Sequence, residues 1–68
     1  MNATEHLSVY DSHGNYLIQL KTTGLYVAAH KGSGKAGRAA SAYTAMELAG
    51  FSSDECHDMW RLWISNHY

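Results

Sequence analysis

Cys56 is the only cysteine of this 68-residue chain, so no disulfide can staple it. At this length a folded domain buries only about 60% of the surface its unfolded chain exposes. No C-x-x-C run and no paired Cys/His spacing of a structural zinc site supplies a substitute. Stability must therefore come from dense apolar packing or from self-association. Five tyrosines, two tryptophans and one phenylalanine are more large rings than one small core needs, and the surplus predicts a homodimer. A single small domain over residues 1–68 is expected.

Hydrophobic period divides the chain in two. Leu7 and Val9 share one face of a first short strand, Tyr16, Ile18 and Leu20 one face of a second, and Leu25, Val27 and Ala29 one face of a third. "DSHGN" and "TTG" between them carry turn chemistry. From Ala39 the period becomes helical, with Ala42, Tyr43, Met46 and Ala49 following at three- and four-residue steps up to a capping Gly50. Ser52 and Glu55 then form a capping box, with Phe51 and Cys56 as its hydrophobic staple, so residues 53–66 predict a second helix. Trp60, Leu62 and Ile64 also alternate, the pattern of a closing strand. The fold class expected is α+β: a three-stranded antiparallel meander followed by two helices. The expected core joins Leu7, Val9, Ile18, Leu20, Val27, Tyr43 and Met46 to Trp60 or Trp63.

Between the two halves lies "HKGSGKAGRAAS", His30 to Ser41, in which Gly32, Gly34 and Gly37 match the G-x-G-x-x-G spacing of a dinucleotide site. That fold requires parallel strands joined by crossover helices, whereas these glycines follow a meander. A P-loop fails as well, since Ala29 stands where its first glycine is needed and Ala36 follows Lys35. No cofactor is expected. A helix starting near Ala36 to Arg38 would place free backbone N–H groups beside Lys31, Lys35 and Arg38, a contact for an anion or an acidic partner.

Charge follows the same division. Residues 1–20 carry two acids, residues 21–38 four cations without an acid, and residues 39–68 four acids against Arg61. A net charge of -1 is low for a nucleic-acid-binding domain, but segregated charge suits steering of a partner. Three antiparallel strands, a lysine-bearing loop and the alanine-rich "GKAGRAASAYTAMELAG" resemble the second half of a double-stranded-RNA-binding domain over residues 7–50. That resemblance implies phosphate contacts by Lys31, Lys35 and Arg38.

Catalysis and metal binding find little purchase. His57 adjoins Cys56, but neighbouring helical positions point about 100° apart, which is poor for a nucleophile and its base. The five histidines form no His-x-x-x-His pair, so no metal is expected. No apolar run approaches the roughly 18 residues of a membrane span, and the start lacks signal-peptide character. With one unpaired cysteine, the cytoplasm is the expected location. Trp60, Leu62, Trp63, Ile64 and Tyr68 are the candidate protein interface, being too many apolar groups for one helix face. Small size, patchy charge and surplus aromatics resemble the accessory proteins of phages and mobile elements, such as anti-CRISPR proteins and inhibitors of polymerases or nucleases. The expected function is accordingly a non-enzymatic protein that binds and modulates a host macromolecule. A nucleic-acid-binding regulator using the basic loop is the alternative.

Overall fold

A computed structural model describes residues 6–68. Four strands, β1 (His6–Tyr10), β2 (Tyr16–Leu20), β3 (Tyr26–His30) and β4 (Lys35–Ala39), precede two helices, α1 (Ala42–Leu48) and α2 (Ser53–His67). The sheet is antiparallel in sequential order, β1-β2-β3-β4. The class is α+β, with four strands where three were expected. The fourth is "KAGRA", inside the glycine-rich stretch. Glycine and alanine are weak strand formers, and Ala39 sits in phase with the helix that follows, so its period masks the strand. Residues 53–67 are helical throughout, not a closing strand.

The turn chemistry is local. Asp11 Oδ1 accepts the backbone N–H groups of His13 at 2.8 Å and Asn15 at 3.0 Å, folding the chain back from β1 into β2. The β3–β4 turn closes through the Gly34 N–H donated to the His30 carbonyl at 2.9 Å, with Gly34 at φ 69°, a conformation glycine adopts without penalty. At the end of α1, Phe51 N–H donates to Met46 O and Gly50 N–H to Glu47 O, each at 3.0 Å. This is a Schellman closure, and it turns Phe51 into the same buried cluster as Met46. Helix α2 starts with the capping box complete: Ser52 N–H donates to Glu55 Oε1 at 2.8 Å and Glu55 N–H to Ser52 Oγ at 3.2 Å.

Register decides which side of the sheet is interior. Val9 pairs with Leu17, Leu17 with Ala28, and Ala28 with Gly37. All four are buried and join Ala42, Ala45, Met46, Ala49, Phe51, Cys56, Met59 and Trp63 from the helix layer. The expected core is thus half corrected. Val9, Met46 and Trp63 lie in it, with Leu7 and Trp60 packed at its edge, but Ile18, Leu20 and Val27 belong to the opposite face, and Tyr43 is exposed. In "YLIQL" the more apolar parity is the outward one, so alternation alone selects the wrong side. Leu17 is fully enclosed, at 0% exposure.

Gly37 explains why α1 sits so close to β4. A Cβ built there would collide with the Ala45 carbonyl oxygen and lie 2.7 Å from Leu48 Cβ and 2.9 Å from Ala49 N. The third glycine of the dinucleotide-like spacing therefore serves helix-on-strand packing with no side chain between.

Candidate functional site

The three cations of the basic loop do not converge. Because "KAGRA" is a strand rather than a helix start, Lys35 and Arg38 have opposite parity on β4, and Arg38 shares the outer face with its cross-strand partner Val27. Lys35 lies toward the end of α1, its Cδ 3.9 Å from where a Gly50 Cβ would be. Lys31 lies in the β3–β4 turn, its side chain against Gly14 of the neighbouring turn. The expected anion pocket at a helix N-terminus is replaced by three separate positive points. Helix α1 begins beyond them, at Ala42.

The candidate interface on α2 is largely internal. Trp63 is buried, while Trp60 and Leu62 pack on the edge of the core. Trp60 stacks on Trp63 at 6.3 Å with an interplanar angle of 7°, and Tyr26 of β3 meets both rings edge-on. Tyr43 of α1 approaches Trp60 edge-on at 6.3 Å. The aromatic surplus is thus spread between a four-ring cluster of Tyr26, Tyr43, Trp60 and Trp63 and the remainder of the surface. Ile64 and Tyr68 are exposed.

A cleft of about 260 Å³ opens between the β1–β2 turn and α2, lined by Asp11, His13, Asn15, Glu55, Asp58 and Leu62 among others. Several of its polar groups are already engaged by neighbours. Asn15, buried, donates from Nδ2 to Asp11 Oδ2 at 2.9 Å and accepts the Lys31 N–H on Oδ1 at 2.8 Å, tying the two turns together. Burial pushes the Asp11 carboxyl up, but the Asn15 backbone and side-chain donors, the His13 N–H and the His13 ring outweigh it, so Asp11 titrates below the usual carboxylate range. His30 Nδ1 accepts the Ser33 N–H at 3.0 Å, which fixes the Nε2–H tautomer and lets Nε2 donate to Glu55 Oε2 at 3.1 Å. The Ser52 N–H first, then His30, hold Glu55 below its ordinary value. Ser33 Oγ donates to the Ala49 carbonyl at 2.7 Å. His30 and Glu55 therefore clip the end of β3 to the first turn of α2.

Cys56 is buried, and its burial, with Glu47 and Glu55 nearby, pushes its thiol up. That is the reverse of an activated nucleophile. Among the described residues, no three His, Cys, Asp or Glu side chains gather to hold a metal ion, and no helix is long and apolar enough to cross a membrane.

The outer sheet face is the surface that the sequence reading passes over. Cross-strand pairing sets Tyr10, Tyr16, Ala29 and Ala36 in one row, and Ser8, Ile18, Val27 and Arg38 in the next, with Leu20 beyond. Tyr10 is 62% exposed and its ring lies 5.5 Å from that of Tyr16. Both helices pack on the opposite side, and no described element covers this one. The sequence does carry a signal for it. "YLIQL" and "YVAAH" are apolar at both parities, which marks a sheet with two faces to cover. No protein family, no curated protein and no solved structure matches the chain.

Proposed function

We propose that this chain is a non-enzymatic binding protein that modulates another protein by occupying part of its surface, and that the outer face of the sheet is the working surface. The observation that supports this reading is the outward-facing set of Tyr10, exposed, and Tyr16, Ile18, Leu20 and Val27, half-buried, in a molecule with little core to spare. A small domain leaves an apolar sheet face open to water only at a cost, and contiguous apolar surface rimmed by polar groups is what protein interfaces are made from. Its size and mode of action fit the accessory-protein type, with a host protein as partner. The nucleic-acid alternative draws less support, because Lys31, Lys35 and Arg38 are scattered over separate parts of the surface.

The test is affinity capture from a bacterial lysate with the parent and with Ile18→Asp, each with and without nuclease. The parent should retain a protein that survives digestion, and Ile18→Asp, still folded at the assay temperature by circular dichroism, should release it. Capture unchanged by Ile18→Asp, or lost on nuclease treatment, refutes the reading.

A further inference from the structure

Charge in this molecule is sorted by layer. The sheet and its turns, residues 6–39, hold Lys21, Lys31, Lys35 and Arg38 against the single carboxylate of Asp11, a net +3. The helix layer, residues 40–68, holds Glu47, Asp54, Glu55 and Asp58 against Arg61, a net -3. Asp11 is engaged by Asn15 and His13 within its own turn. On the outer face itself the two rows contain no carboxylate, and Arg38 is their one fully charged side chain. An apolar surface whose one charge is the cation Arg38 repels a like surface and attracts an acidic one.

The relief of the face narrows the shape of the occupant. Tyr10 and Tyr16 raise a ridge over β1 and β2, whereas Ala29 and Ala36 leave a low floor over β3 and β4, with Arg38 one row away. Four strands spaced about 4.8 Å apart give a sheet roughly 14 Å wide, which three turns of helix, about 16 Å long, span. We infer that the outer face docks an acidic amphipathic helix of a partner protein, whose apolar stripe lies along the Tyr16–Ile18–Val27 surface beside the alanine floor and whose carboxylates meet Arg38. This rests on the reading of the face as the working surface and adds the chemistry of what binds there. A second copy paired two-fold through the same face would bring two Arg38 side chains together with no carboxylate from the two rows of either copy between them.

Selection from a displayed library of random peptides about 16 residues long, with the immobilised full chain as bait, asks the question without presuming a sequence. Recovered peptides should carry more Asp and Glu than Lys and Arg, with apolar residues at three- and four-residue steps. Their affinity should fall about tenfold on Arg38→Glu and weaken between about 0.05 and about 0.5 M salt. Ile18→Asp should abolish binding while still folded at the assay temperature by circular dichroism. Neutral or basic peptides that lose binding on Ile18→Asp leave the face as the working surface but overturn its acidic occupant. Peptides indifferent to Ile18→Asp overturn both, and recovery of none overturns the inference. Sedimentation of the parent provides the remaining check: a dimer that Ile18→Asp disperses assigns the face to a second copy and also overturns it.

Discussion

Gly37→Ala adds one methyl group at the point where α1 rests on β4. The backbone itself would welcome the change, since alanine in a strand is favoured over glycine by about 0.5–1 kcal/mol, and Gly37 does not occupy a left-handed conformation. The space does not. The new Cβ would meet the Ala45 carbonyl oxygen and lie 2.9 Å from Ala49 N, both backbone atoms, besides Leu48 Cβ at 2.7 Å. No rotamer change relieves a clash with backbone, so α1 must lift from the sheet, loosening the contacts of Ala42, Ala45 and Met46. Overpacking of this kind costs about 1–3 kcal/mol, which exceeds the propensity gain. A 68-residue domain has about 3–10 kcal/mol in all, and a net loss of about 1 kcal/mol lowers the melting temperature by about 4–8 °C. Thermal unfolding followed by far-ultraviolet circular dichroism measures this directly, with Ala36→Gly on the exposed neighbouring position as the control for strand propensity. Gly37→Ala melting at or above the parent would mean that α1 does not sit against this strand.

The choice of interior face is tested by comparing Leu17→Ala with Ile18→Ala in urea: the first should cost about 2–5 kcal/mol because it leaves an enclosed cavity, the second less than half as much because Ile18 is only half-buried. Ser52→Ala removes the acceptor for the Glu55 N–H and should cost about 1 kcal/mol, read as a melting-temperature drop of about 4–8 °C. Asp11 titrates below the usual carboxylate range in the folded chain, so its contribution is present above about pH 4 and is lost as pH falls through the lowered folded value. The gap in melting temperature between the parent and Asp11→Asn should therefore close on acidification from about pH 6 to about pH 2, and a gap that stays constant refutes the assignment. Cys56 has the opposite sign: its thiol is pushed up, so the folded state holds its advantage below the unfolded thiol value, about 8.5, and loses it as pH rises from there toward the folded value. Cys56→Ala should flatten that alkaline loss.

Much of the fold is legible in sequence because local chemistry dictates it. The Asp11 turn, the Gly50 closure and the Ser52–Glu55 box each satisfy backbone groups within a few residues, and each forms as the residues specify. What fails is whatever depends on a neighbour distant in sequence. β4 is a strand because β3 supplies its ladder and α1 needs a bare backbone at Gly37, neither of which alternation in "KAGRA" can reveal. The interior side of β2 is set by the small Ala28 and Gly37 beneath the helices, although Tyr16, Ile18 and Leu20 outnumber Leu17 on the other parity. The same inversion hid the candidate surface. Ile18, Leu20 and Val27, assigned to the core, lie on the opposite face, while Trp63, offered both to the core and to an interface, is 1% exposed inside the core.

The sequential strand order also bears on how the molecule assembles. Each strand pairs with the one before it in the chain, and Tyr10 meets Tyr16 across a turn, so the sheet grows by closing short loops. Helix α2 has farther to travel: its His67 Nε2 donates to the Ser8 carbonyl at 3.0 Å, joining residues 59 apart. Closing that span rather than a six-residue one costs about 2 kcal/mol more in loop entropy. Loop entropy therefore favours the meander forming before the C-terminal end of α2 docks on β1. Contacts made by α2 set how long the native state lasts, whereas the speed of folding belongs to the meander.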